Sequence, residues 1–285
     1  MKTERILSTY LFVNRKLTAA LVGEAARTGI SAIELFCSRG HFDYRSADDA
    51  RELASWLSGN NLTLHSIHSP TTRDFHLTRE SGAPLSISDP ERLRRQDAVD
   101  EIKRALDLVE QIPFRYCVQH VASHRDVPDE RRWDAAFSSL EHLSLFARQR
   151  GVTMAIENTP GEMATPVNLK NFLEQTRLTS VKICFDAGHA HLEGGVTEGL
   201  EAVREFAATA HVHDNRGERD DHLLPYEGTI DWGAALAALP PEAPLVLELK
   251  EPAAAAGSTD VMAFAETLRG VPRVFEKFDE ERAGQ

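Results

Sequence analysis

The sequence predicts an eight-stranded parallel (β/α)8 TIM barrel of the α/β class, as a single domain over residues 1–285. Three observations lead there. Short apolar runs of strand length alternate with amphipathic helical stretches, and the alternation repeats eight times, the number that closes a barrel. The two segments that break the short-loop pattern, 69–89 and 214–230, both follow strands, where a barrel carries its functional loops. Strands three to eight each end in a His, Asp or Glu. An open doubly wound sheet is the alternative, but no glycine-rich fingerprint follows the first strand to support it.

Each unit reads in order. The first strand is expected over 6–12 (ILSTYLF), with a helix over 18–28. The second is AIELF at 32–36, with a helix over 47–58, and the third is LTLHSIH at 62–68, with a helix over 90–111. FRYCVQHV at 114–121 and VTMAIE at 152–157 make the fourth and fifth, with helices over 129–150 and 166–176. VKICFD at 181–186, AHVH at 210–213 and LVLEL at 245–249 complete the ring, with helices over 197–207, 232–239 and 259–268. Alternate side chains on a strand face opposite ways. Met154 and Ile156 therefore oppose Thr153, Ala155 and Glu157; Val181, Ile183 and Phe185 oppose Lys182, Cys184 and Asp186. Leu245, Leu247 and Leu249 oppose Val246, Glu248 and Lys250. The bulky apolar sets suit the helix layer, so the carboxylates point inward at the top of the barrel.

Bulk properties narrow the function. A formal net charge of −12 disfavours a nucleic-acid partner, whose affinity comes from neutralising phosphates. No stretch approaches the apolar length of a membrane span, and the N-terminus carries no cleavable leader pattern, so a cytoplasmic protein is expected. Cys37, Cys117 and Cys184 are scattered without CxxC spacing, which fits reduced thiols and no zinc–thiolate site.

The strand ends carry the chemistry. They offer His68, His120, Glu157, Asp186 with His189, His211 and His213, and Glu248; the seventh loop adds Asp220, Asp221 and His222. Taken singly, a His at a strand end is an ordinary polar terminus, an Asp before Gly-His is a helix cap, and Asp220-x-His222 is a solvated charge run. Taken together, they meet on one ring. Converging carboxylates repel one another in a low-dielectric pocket, and a divalent cation offsets that repulsion. Imidazole and carboxylate without thiolate suit Mn²⁺, Zn²⁺, Co²⁺ or Mg²⁺. Glu34 shares its strand parity with Ala32 and Phe36 and is a further candidate for the pocket.

IENTP at 156–160, FDAGHA at 185–190, and HVHDN at 211–215 followed by RDDHLLPYEGTIDW resemble the xylose isomerase-like TIM-barrel superfamily. The likeness runs from GISAIEL at 29–35 to LELK at 247–250. That superfamily holds sugar isomerases and epimerases as well as endonuclease IV-type abasic-site nucleases. For the sugar branch the resemblance implies one metal on Glu157, Asp186, His211 and Glu248, with His189 beside substrate. For the nuclease branch it implies the same site, a second metal on Glu157, His68 and His120, and a third on His189, Asp220 and His222. His211 is preferred over His213 on the family's His-x-x-Asp pattern. Ligand identity does not separate the branches.

The wording IENTP and PYEGTIDW resembles the bacterial sugar phosphate isomerase/epimerase-like group. The expectation is therefore a metal-dependent isomerase or epimerase of a sugar or sugar derivative, working through an enediolate. Glu157 and Glu248 would exchange the carbon-bound proton, His68 and His189 would bind substrate hydroxyls, and Lys250 or Arg216 would meet an anion. The alternative is an endonuclease IV-like phosphodiesterase acting on abasic DNA, for which Arg39, Phe42, Tyr44, Arg45, Arg73 and Phe75 are the loop residues available. The resemblance also implies a homo-oligomer.

Overall fold

The computed structural model describes residues 4–72, 84–123, 126–258 and 261–284; Arg73 and Phe75 lie outside the described residues. Eight strands pair in parallel and in sequence order into a closed barrel, with β1 paired to both β2 and β8. They are β1 (Arg5–Ser8), β2 (Ala32–Phe36), β3 (Thr63–His68), β4 (Tyr116–His120), β5 (Thr153–Glu157), β6 (Lys182–Asp186), β7 (Ala207–Val212) and β8 (Leu245–Leu247). The helices are α1 (Ala19–Arg27), α2 (Ala47–Gly59), α3 (Arg92–Leu106), α4 (Glu130–Arg148), α5 (Pro166–Thr176), α6 (Ala187–Leu192), α7 (Val196–Val203), α8 (Trp232–Ala238) and α9 (Ala265–Ala283). No helix among the described residues is long and apolar enough to cross a membrane.

The strand faces separate by size. Ile33, Leu35, Met154, Ile156, Ile183, Phe185, Leu245 and Leu247 pack outward with the helices in one large core. Inside the barrel sit two small clusters, Ile6 with Ala32 and Val246, and Val118 with Ala155 and Cys184. These small residues leave room for a polar layer nearer the strand ends.

Among the differences from the sequence expectation, four have a clear local cause. The run expected as a strand over 6–12 leaves the sheet after Ser8 and curls into a 3-10 turn, Thr9–Phe12. Ser8 Oγ accepts the Tyr10 N–H at 3.3 Å, and Thr9 Oγ1 accepts the Phe36 N–H at 2.9 Å, so side chains replace the strand ladder there. The helix expected over 197–207 stops at Val203, because Ala207 and Thr209 already pair with β6. A short additional helix, α6, starts directly at the end of β6, where Asp186 Oδ1 accepts the His189 N–H at 2.7 Å. The last helix begins at Ala265 and runs on to Ala283, across Gly270 and Pro272. Buried Leu268, Val271, Val274, Phe275 and Phe278 repeat at helical spacing, and their burial outweighs those two helix-weakening residues.

Candidate metal centre

Three groups of donors meet at the C-terminal ends of the strands. In the first, ligand atoms of Glu157, Asp186, His211 and Glu248 all lie within 4.8 Å of one another, and all four residues are buried. His211 Nδ1 stands 3.2 Å from Glu157 Oε1, 3.5 Å from Glu248 Oε2 and 3.8 Å from Asp186 Oδ2. In the second, His68 Nε2 and His120 Nε2 face Glu157 Oε2 at 3.2 and 3.1 Å. In the third, His189 Nε2 and His222 Nε2 face Asp220 Oδ2 at 3.3 and 3.0 Å, with His213 beside them. Glu157 belongs to two groups. His213 Nε2 also reaches Asp186 at 3.1 Å, so the first and third groups touch.

The backbone orients these rings. The Nδ1 atoms of His68, His189 and His222 lie 2.9, 2.9 and 2.8 Å from the carbonyls of Ser69, Asn158 and Glu248. A proton on each Nδ1 is thereby held by a carbonyl, and the Nε2 lone pair is left facing its group. The Asn158 side chain clasps the Asp186 backbone through both its amide atoms, at 2.9 and 2.8 Å, tying the end of β5 to the end of β6. Gly188 lets α6 lie against His213: a Cβ there would stand 2.0 Å from His213 Cε1.

The electrostatics suit a cation. Burial raises the carboxyls of Glu157 and Asp186, yet His211 and His120 hold Glu157 well below the ordinary carboxylate range, and His189 and His213 hold Asp186 below it. Burial opposes protonation of His189, but Asp186, Asp220 and Glu157 push it up to about 10. Against the same opposition the carboxylates around His211 hold its imidazole well above the usual value. Protons on imidazole thus balance the acids, and a divalent cation would take over that balance. Two buried polar atoms, His213 Nδ1 and Asp220 Oδ1, have no hydrogen-bond partner among the described residues. Cys184 sits in the inner cluster with Val118 and Ala155 and belongs to none of the three donor groups. The residues present therefore fit a divalent cation of the oxygen- and nitrogen-binding kind.

Other expected residues fall elsewhere. Lys250 and Arg216 are exposed, Arg216 donates to the Glu227 carbonyl at 3.3 Å, and neither lines the cavity over the site. Tyr44 and Arg45 bind Glu101 on α3. That cavity, about 570 Å³, is lined by His120, His189 and Asp220 from the donor groups, with Glu193, Glu218 and Arg219 at its rim. A larger groove of about 700 Å³ between α4 and α5, floored by Trp133 and Phe172, contains none of the donors.

One part of the site was not foreseen. The Tyr10 ring lies 4.9 Å from Phe36 and 5.1 Å from His222, and Phe36 stacks on His68 at 4.7 Å. Together they form an aromatic wall. Burial, then Glu248, Asp220 and Glu157, raise the Tyr10 hydroxyl above its ordinary value, as expected for a phenol close to the acids. The expected strand over 6–12 contains Tyr10, and only the turn after Ser8 carries its ring to the site.

Comparison with known proteins agrees with the architecture. The family model described as a xylose isomerase-like TIM barrel matches residues 22–267. The uncharacterized protein y4fM of Sinorhizobium fredii is 32% identical over 159 residues, 51% of this chain and 50% of that one, so the match spans half of that relative's length. The crystal structure of a D-tagatose 3-epimerase-like protein superposes with a TM-score of 0.75 at 19% identity, covering 99% of each chain. The IOLI protein, solved with a bound zinc atom, gives 0.72 at 16% identity, covering 98% of this chain and 96% of that one. The chain belongs to the xylose isomerase-like TIM-barrel family.

Proposed function

We propose that the protein is a divalent-metal-dependent isomerase or epimerase of a small polyhydroxy carbonyl compound, a sugar or sugar derivative. One observation carries this reading: two buried carboxylates, Glu157 and Glu248, enter one donor group from β5 and from the end of β8, beside a cavity of small-ligand size. Glu157, Asp186, His211 and Glu248 would hold the cation, which would supply Lewis acidity toward a substrate carbonyl and the neighbouring hydroxyl. Glu157, kept ionised by its histidine neighbours, takes the carbon-bound proton and keeps it, and Glu248 gives a proton of its own to the opposite face, ending as the carboxylate. His68 and His189 hold substrate hydroxyls. The Tyr10–Phe36 wall excludes water from one flank. The epimerase-like structural neighbour and the zinc in the IOLI protein add support.

A second reading, hydrolysis of a phosphodiester in abasic DNA, draws on the two flanking groups, His68–His120–Glu157 and His189–His213–Asp220–His222. Multinuclear centres serve such displacements. The rim argues the other way: Glu193, Glu218 and Asp220 against Arg219 repel a phosphate chain.

The deciding experiment incubates metal-loaded protein with a panel of ketoses and ketose phosphates in D₂O and follows deuterium at the carbon next to the carbonyl by NMR. Uptake in the wild type that is lost in Glu157→Gln and Glu248→Gln supports the proposal. No exchange across the panel, together with cleavage of abasic-site DNA by the same preparation, would replace it with the second reading.

A further inference from the structure

We infer that Glu34 is the positioning residue of His211: its carboxylate accepts the Nε2–H of the imidazole and so turns the Nδ1 lone pair onto the Glu157–Asp186–Glu248 group. The inference rests on the metal-centre reading above. His211 is oriented differently from His68, His189 and His222. His68, His189 and His222 turn Nδ1 to a backbone carbonyl and present Nε2 to their groups. His211 presents Nδ1 to the acids, and its Nε2 lies 3.1 and 3.2 Å from the two oxygens of Glu34. A neutral imidazole has one N–H. If Nδ1 serves a cation, that proton is on Nε2 and needs an acceptor in a fully buried place, and Glu34 is the acceptor provided.

The surroundings of Glu34 fit this role. β2 sends no donor into any of the three groups, yet it carries a fully buried acid. Glu34 pairs in register with Ser66, two residues before Phe36 and His68, so it stands one layer beneath the donors. Ser66 Oγ donates to Glu34 Oε2 at 2.8 Å and fixes the carboxylate. No lysine or arginine pairs with Glu34 among the described residues; its ion-pair partner there is His211. A carboxylate bound to the far nitrogen of a ligand imidazole sets both ring angle and basicity, and losing such a partner typically weakens metal binding about 10–100-fold.

The test titrates Zn²⁺ against a chromogenic chelator in wild type, Glu34→Leu and Glu34→Gln, following the ion that is lost in His211→Ala. The melting temperature of each zinc-free protein is measured alongside. The expected result is a dissociation constant raised about 10–100-fold in Glu34→Leu. Glu34→Gln should show a smaller rise, because its amide oxygen still accepts but carries no charge. A purely structural role would lower the melting temperature and leave the zinc constant unchanged. Independently of any Glu34 variant, ¹⁵N-histidine NMR of the zinc-loaded wild type, assigned by the signal absent in His211→Ala, should place the His211 proton on Nε2. Wild-type zinc affinity in both Glu34 variants, or a His211 proton on Nδ1, overturns the inference and leaves the metal centre standing. If Glu34→Leu does not fold, Glu34→Gln and the wild-type tautomer decide. A wild type that binds no zinc through His211 overturns the metal-centre reading, and this inference with it.

Discussion

Asp214 Oδ2 accepts the indole N–H of Trp232 at 2.9 Å. The same carboxylate accepts backbone N–H groups from Asn215, Tyr226 and Ile230 at 2.9, 2.9 and 3.2 Å. One buried side chain thus gathers both ends of the loop that delivers Asp220 and His222. Asp214→Ala leaves these donors without their acceptor and should cost about 3 kcal/mol in urea unfolding. Limited proteolysis should then cut within 215–230, where the wild type resists.

Glu157 is a member of two donor groups, whereas Asp186 and Glu248 are members of one, so its loss should be the most damaging. Glu157→Gln keeps the volume and removes the charge. We expect metal per chain to fall, and proton exchange to drop about 10²–10⁴-fold. Elemental analysis and the D₂O assay read the two effects. Glu193→Gln, at the rim, serves as the control and should leave metal content unchanged.

Gly188→Ala tests the contact between α6 and β7. The added methyl would meet Cε1, Nδ1 and Nε2 of His213 at 2.0, 2.3 and 2.6 Å. That ring is buried and stacks on His222 at 3.8 Å, so it cannot swing aside. The variant should lose about 1–3 kcal/mol of stability and disturb the His189–His213–Asp220–His222 group before the others. Cobalt absorption spectra compared with wild type would show which group has changed.

His65 should limit stability in acid. It is buried on β3, at the irregularity where that strand pairs with β2, its ring 5.5 Å from Tyr116, and its Nε2 has no hydrogen-bond partner among the described residues. Burial lowers its pKa from 6.5 to about 4. Above pH 6.5 neither folded nor unfolded chain is protonated there, and the stability is complete. As pH falls from 6.5 towards 4, the unfolded chain takes a proton that the folded one refuses, and about 3 kcal/mol is lost at about 1.4 kcal/mol per unit. His65→Phe should remove this portion of the acid slope. Urea unfolding of both zinc-saturated proteins at pH 4.5 and 7.5 checks it.

The barrel was readable in the sequence because strand and helix signals alternate with a fixed order, and because strand parity separates Met154 and Ile156 from Ala155 and Glu157. The convergence of donors followed from that parity. What stayed out of reach depends on local hydrogen bonds that no periodicity records. Ser8 and Thr9 end the first strand by capturing amides, and this turns Tyr10 into the aromatic wall. An apolar run such as ILSTYLF has the same pattern whether or not it stays in the sheet. Lys250 and Arg216 stand close in sequence to site residues but are exposed and line no part of the cavity, because a residue just past a strand end is no longer bound by the strand's alternation. His213 shares a strand face with His211, and only the geometry assigns the two to different groups.

The sharing of Glu157 has a consequence for how the protein fills. Its Oε1 looks toward His211 and its Oε2 toward His68 and His120. A cation taken on one oxygen draws charge away from the other and repels a second cation across the same carboxylate. Were both groups to take cations, their occupancy would be anticooperative, with one ion binding tightly and the next more weakly. The number of metals per chain would then follow the free metal concentration of the surroundings, and a preparation from metal-poor medium would differ from one made in metal-rich medium without any change in the protein.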